Sequence, residues 1–337
     1  VIVRPGGGMR GLRPGVAPAA ASYTRGMSQA PDSNPAPATT GPRTVRIGHS
    51  PDPDDAFMWY PLANFVAPDG TQLTPKIDTG GYAFEHVLED IQSLNVRSEK
   101  GELEITAFSI HQYPYVADKY AMTSCGSSMG DGYGPMIVAP RKMPVADLKG
   151  KRLAVPGERT TAWLSFQILL AEHGMTKDDL DYKFVMFDEV FQRVEAGEFD
   201  AGLIIHEGQI TYRERGLHLV VDLGAWWTES RGLPLPLGAN AIRRDLLEGD
   251  AGGRLCRVLL NSIEYALEHR DDSVAFALNY ARDMGADLAD RFVGMYVNDW
   301  TLDYGERGRE AVRTFLKAGS DAGLIPDCGE IDFVEPA

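Results

Sequence analysis

The chain has 337 residues, of which 44% are apolar and 24% charged, a globular composition that excludes a disordered or fibrous protein and, at about 150 residues per domain, one small domain. Its 33 Lys and Arg against 48 Asp and Glu give a net charge of −15, which repels a nucleic-acid backbone or an anionic membrane face, and no local basic run offsets it. No apolar stretch approaches the roughly 18 residues of a membrane-spanning helix, and Cys125, Cys256 and Cys328 lack the paired spacing of zinc or redox motifs, so they read as free thiols of a cytoplasmic protein.

Residues 1–43 have no helical or strand period. Gly6 to Gly8, prolines from Pro5 to Pro37, and five arginines against Asp32 alone predict a disordered tail that folding does not need. An export signal would require an apolar stretch of about 7–15 residues, and the best candidate, Gly15 to Tyr23, is broken by Pro18.

From Thr44 onward short apolar strands alternate with amphipathic helices, which predicts an α/β fold with mostly parallel sheets. Strands are expected at Val45 to Gly48, Glu104 to Ile110, Leu153 to Val155, Lys183 to Phe187 and Ala201 to Ile205. Helices are expected from near Asp55, over Thr161 to His173, over Val190 to Glu195, and over 273–284 and 306–318. Leu255, Leu259, Ile263 and Leu267, spaced i, i+4, mark a further amphipathic helix. Two Gly- and Pro-rich extended segments, Gly132 to Pro135 and Gly232 to Gly238, suit strands crossing a cleft. Two crossings imply one lobe made of 44–134 plus 239–337, a second of 135–238, and a ligand cleft between them.

Ligands of α/β sheets sit beyond the carboxyl ends of strands. Those ends hold Ser50 with the aspartates after it, Ser109 to His111, Thr160-Thr161, and His206-Glu207. His206 directly follows an apolar strand and therefore opens into the cleft, where neutral imidazole suits a general base; a histidine satisfied by a backbone carbonyl is the alternative. Thr160 and Thr161 open a helix whose first amides lack intrahelical acceptors, a site for a carboxylate, or for simple N-capping. Asp52, Asp54 and Asp55 could hold magnesium, but such a run more often caps and charges a helix start. His111 and Trp226-Trp227 are candidate walls of the pocket. No serine elbow, HExxH or dinucleotide fingerprint occurs.

These segments have a familiar order. Gly48-His49-Ser50-Pro51-Asp52-Pro53-Asp54-Asp55-Ala56-Phe57, Val155-Pro156-Gly157 with Thr160-Thr161-Ala162, Gly202 to Glu207, Asp222 to Trp227 and Leu233 to Gly238 resemble the 1,4-dihydroxy-6-naphthoate synthase family of the futalosine route to menaquinone. The resemblance runs from about Val45 to Pro326. It implies a two-lobed fold like the type 2 periplasmic binding proteins and a cofactor-free lyase, with no metal ligand assigned. That lyase converts a small anionic cyclic substrate, cyclic dehypoxanthine futalosine, to 1,4-dihydroxy-6-naphthoate and dihydroxyacetone. The family's catalytic base falls on His206, and its substrate contacts fall on Ala107, Phe108, Ser109, Thr160 and Thr161. The family's first loop commonly reads Cys-Pro-Asn-Asp where this chain has Asp52-Pro53-Asp54-Asp55, and lysine is common where Ala107 stands. The alternatives are a non-catalytic solute-binding protein for a small carboxylate, or an enzyme like the sister chorismate dehydratases. Neither nucleic acid nor membrane is an expected partner, and nothing in the sequence sets an oligomeric state.

Overall fold

The structure, a computed structural model, describes residues 41–67, 70–206, 208–280 and 285–337. The expected disordered tail lies outside the described residues except at its end, where Arg43 already belongs to a strand. Twelve strands are described: β1 (Arg43–His49), β2 (Tyr82–Leu88), β3 (Ile105–Ser109), β4 (Tyr120–Thr123), β5 (Ser128–Gly130), β6 (Met136–Ala139), β7 (Arg152–Val155), β8 (Asp181–Phe184), β9 (Ala201–Ile204), β10 (His218–Asp222), β11 (Leu235–Arg243) and β12 (Phe333–Val334). One sheet has the order β12-β4-β11-β3-β1-β2, with β5 also on β11; the other has the order β10-β6-β9-β7-β8. The first is built from residues before 131 and after 234, the second from 136–222.

Both sheets are mixed, which corrects the mostly parallel expectation. β1 runs parallel to β2 and β3, β12 to β4, and β7 to β8 and β9. Every antiparallel pairing between these strands involves β6 or β11. Those are the first strands the chain lays down after each passage from one sheet to the other, so it enters each sheet from the cleft side and runs against its neighbours. In β3 and β9 every residue is buried, as strands covered on both faces require.

The apolar interior is shared between the sheets. One cluster contains Phe108 of β3, Leu153 of β7, Leu203 of β9, Leu235 of β11 and Phe315 of the helix Gly305–Asp321. The helix Thr161–Glu172 is buried from Thr161 through Leu170 and packs against β11, the helix Leu223–Arg231 and the helix Gly305–Asp321. A helix apolar all round belongs in an interior, and its buried position brings its N-terminus to the middle of the molecule. The amphipathic helix spans Ala251–Glu268, with Leu255, Leu259 and Ile263 buried and Leu267 half-buried. The helix expected over 273–284 is Arg270–Ala277, and residues 281–284 lie outside the described residues. A helix missed in the sequence, Ala286–Tyr296, buries Ala289, Phe292, Val293 and Tyr296, a 3.6-residue period that was there to be read.

The first passage lies hard against the helix Leu223–Arg231. A Cβ added at Gly224 would overlap the Tyr133 carbonyl, a backbone atom with no room to withdraw. Gly224→Ala is therefore expected to lower stability by about 1–3 kcal/mol or more, the usual cost of overpacking, read as a lower urea midpoint at unchanged slope. An unchanged midpoint would show that the passage yields freely.

Candidate active site

One cavity at the carboxyl ends of β1, β3, β7 and β9 is lined by all seven residues expected to act: Ser50, Ala107, Phe108, Ser109, Thr160, Thr161 and His206. They come from four separate places in the chain, the loop after β1, β3 itself, the helix start after β7 and the turn after β9, so the meeting of those four is a consequence of the fold and not of proximity in the chain. Asp54, Asp55, Gln209, Asn240 and Tyr296 also line it.

The loop after β1 is tied to itself. The Ser50 amide donates to Asp55 Oδ2 at 2.7 Å, and the Asp52 amide donates to Ser50 Oγ at 3.1 Å. Asp52 stands at the N-cap of the helix Pro53–Trp59 yet makes no capping bond with its side chain; its Oδ2 lies 3.5 Å from His206 Nε2 instead. The capping role weighed for this acidic run is thus not what its side chains do. Asp54 Oδ1 is buried without a hydrogen-bond partner. Burial, then the charges of Asp55 and Asp52, push the Asp54 carboxyl up to about 8. Burial likewise raises Asp55 to about 7, although the Ser50 amide pulls the other way. Among the described residues no group of three or more metal-ligating side chains is placed to hold an ion.

His206 is the one described non-glycine residue with positive φ, at 54°. A left-handed backbone costs an L-residue of this kind of order 1–3 kcal/mol. Here it turns the chain sharply after β9, and Gln209 N donates back to the His206 carbonyl at 3.2 Å. The imidazole faces the cavity with Phe187 against it edge-on at 4.9 Å.

The two threonines divide their work. Thr160 caps its helix, accepting from Trp163 N at 3.2 Å and donating to the Gly157 carbonyl at 2.9 Å. Thr161 donates to the Leu237 carbonyl at 2.6 Å and accepts from His111 N at 3.3 Å. Both hydroxyl protons are used within the chain. What the helix start offers to an anion is its first amides, which lack intrahelical acceptors. Thr161→Val would strand the Leu237 carbonyl and His111 amide, at about 1–3 kcal/mol. We expect a lower melting temperature and a raised KM, with kcat changed less; a fixed KM with collapsed kcat would contradict this positioning role.

His111 does not reach the cavity. It is buried behind the threonines with Nδ1 3.0 Å from the Thr160 carbonyl, and burial lowers it to about 4, so it stays neutral. Neither tryptophan forms a wall of the pocket: Trp227 is fully buried in the apolar core, and Trp226 donates to Glu172 at 3.1 Å.

Several supports were not legible beforehand. Asn95 accepts from Ser109 N at 2.8 Å and donates to Ser109 Oγ at 3.1 Å and to the Arg159 carbonyl at 3.2 Å, leaving the Ser109 proton free for the cavity. Tyr296 donates to Gln209 Oε1 at 2.7 Å, and burial keeps its phenol protonated. Asn95–Arg159, Tyr296–Gln209 and Asp52–His206 each join a residue of the first sheet's part of the chain to one of the second's, so the structure is closed around the cavity.

The sequence pattern of the menaquinone biosynthesis family matches residues 45–321. A 1,4-dihydroxy-6-naphtoate synthase of Thermus thermophilus is 38% identical over 280 residues, 83% of this chain and 95% of that protein. One of Streptomyces coelicolor is 35% identical over 287 residues, 85% of this chain and 96% of that protein. Among solved structures, an Archaeoglobus fulgidus protein superposes with a TM-score of 0.73 at 42% identity, covering 84% of this chain and 98% of that one. The alkanesulfonate-binding protein of Xanthomonas axonopodis, bound to MOPS, has a TM-score of 0.60 at 14% identity, covering 86% of this chain and 96% of that one. The last likeness shows the fold alone, a two-lobed architecture of the periplasmic-binding-protein kind.

Proposed function

The chain belongs to the menaquinone biosynthesis family, and from that premise we propose that it is a 1,4-dihydroxy-6-naphthoate synthase, a carbon–carbon lyase acting in the cytoplasm on cyclic dehypoxanthine futalosine. The observation that carries the reading is His206, turned by a strained left-handed backbone into the cavity beside a carboxylate. A protein that only binds has no need of a base held at such a cost. In this reading the substrate carboxylate meets the first amides of the helix Thr161–Glu172 and the free proton of Ser109. His206 then withdraws the proton that starts the cleavage. Closure of the lobes keeps water from the reacting atoms. Among the described residues no helix is long and apolar enough to cross a membrane.

The test is direct. Purified protein is incubated with cyclic dehypoxanthine futalosine, and equal amounts of the naphthoate and dihydroxyacetone are expected by mass spectrometry. A ligand held tightly but recovered intact would favour a solute-binding protein instead.

A further inference from the structure

We propose that Asn95 and Gln92 are positioning residues for this cavity, yoking its two anion-binding elements, Ser109 and the start of the helix Thr161–Glu172, to one another. The inference rests on the reading above, in which the substrate carboxylate meets both elements, and adds what sets the distance between them. Ser109 ends β3 of the first sheet, whereas the helix start follows β7 of the second. Their spacing is therefore not fixed by the order of the chain.

The helix Ile91–Ser98 supplies the link. Its N-cap, Asp90, accepts from Gln92 N at 3.0 Å and from Ser93 N at 3.1 Å, and Gln92, Asn95 and Glu99, spaced i, i+3 and i+7, fall on one face. That face meets Arg159, the residue before Thr160. Gln92 Oε1 accepts from Arg159 N at 2.9 Å, and Asn95 Nδ2 donates to the Arg159 carbonyl at 3.2 Å. Glu99 lies 3.8 Å from the Arg159 guanidinium. Both backbone polar groups of one residue are thus held by side chains from the other sheet's part of the chain. Gly157 belongs to the same contact: a Cβ there would come within 2.6 Å of Gln92 Oε1, so the glycine leaves the glutamine room to enter.

Asn95 is fully buried and its amide is wholly used. Oδ1 accepts from Ser109 N at 2.8 Å, and the two Nδ2 protons go to Ser109 Oγ at 3.1 Å and to the Arg159 carbonyl. One planar group therefore sets the gap between Ser109 and the turn that opens the helix. By donating to Ser109 Oγ it also leaves that hydroxyl's own proton for the ligand. The bonds to Arg159 exist only while the two parts of the chain are together, the arrangement that a carboxylate shared by Ser109 and the helix amides also requires. Ligand and yoke thus stabilise the same state, and each strengthens the other.

The experiment compares the parent with three variants, by steady-state kinetics on cyclic dehypoxanthine futalosine and by calorimetric binding of 1,4-dihydroxy-6-naphthoate. Asn95→Asp keeps the acceptor for Ser109 N but sets an oxygen against the Arg159 carbonyl and draws the Ser109 proton away from the cavity. Gln92→Met, at a half-buried position, removes the acceptor for Arg159 N, and Gln92→Glu keeps it. For one or two lost hydrogen bonds we expect KM and the naphthoate Kd raised about 10-fold in Asn95→Asp and about 3-fold or more in Gln92→Met, with Gln92→Glu within about 2-fold of the parent. The kcat values should change by less than about 2-fold, because a contact that holds the carboxylate acts alike in ground and transition states. Should Asn95→Asp not fold, the two Gln92 variants carry the comparison. A purely structural role predicts lower melting temperatures with KM and Kd unmoved, and that result would overturn the proposal, as would a Gln92→Glu no better than Gln92→Met. A parent that binds the naphthoate with affinities in the stated order but turns nothing over would overturn the lyase reading and leave the yoke in place. A parent that binds neither compound would overturn both.

Discussion

His206→Asn lowers kcat by about 10²–10⁴-fold, the usual contribution of a general base, while leaving the fold and ligand-induced closure intact. Asparagine suits this test because, glycine aside, it tolerates the left-handed backbone that His206 adopts at φ 54° better than other replacements do. The substitution therefore removes the imidazole without adding strain. A histidine kept for structure alone predicts a different pattern. Its loss would strand a buried partner at about 1–3 kcal/mol and lower the melting temperature along with the rate. Measuring both quantities on one preparation separates these outcomes, and a stable variant with undiminished turnover would remove the mechanism.

Asp54→Asn, by contrast, raises the melting temperature. The folded-state pKa of Asp54, about 8, stands above the value of about 3.9 that an unfolded chain allows. For a group shifted in this direction the native state binds more protons than the unfolded one between the two values. Its stabilising contribution is complete below the unfolded pKa and is lost as pH rises through about 8. The variant has no such loss, so its advantage widens from pH 5 to pH 8. Since a stability change of about 1 kcal/mol moves the melting temperature by roughly 2–4 °C in chains of similar size, a rise of several degrees is expected at pH 8. Burial lowers His49 to about 3 and His86 to about 4, so these two weaken the fold as pH falls below about 6.5. That acid-side loss is common to both proteins and cancels in the difference. Calorimetry at the two pH values decides the matter, and a variant less stable than its parent at pH 8 would show that Asp54 sits there without electrostatic cost.

Much of the site was readable from local pattern. A polar residue at or just beyond the carboxyl end of an apolar strand emerges at the sheet's edge, which is what makes Ser50, Ser109 and His206 legible in the sequence. Thr160 and Thr161 were found by the same logic, applied to a strand followed by a helix. The period-3.6 leucines of Ala251–Glu268 are equally local, since one helix face must meet the core whatever lies opposite. Strand direction was not local. β6 and β11 run against their neighbours because of where the chain re-enters each sheet, and an apolar run looks the same in either direction.

The sequence by itself determined the α/β class, the two passages, the family resemblance and the strand-end residues, because each follows from the order and polarity of neighbouring side chains. Only the tertiary structure decided which of those residues face one another. Asp52 reaches His206, Gln209 receives Tyr296 and Asn95 holds Ser109 through contacts between residues 87 to 154 apart in two of the three cases, and 14 apart in the third. The left-handed turn at His206 and the protonated state of Asp54 were likewise decided there. Both depend on burial and on charges brought in from elsewhere in the chain, and desolvation is a property of the surroundings that no residue carries in its own name.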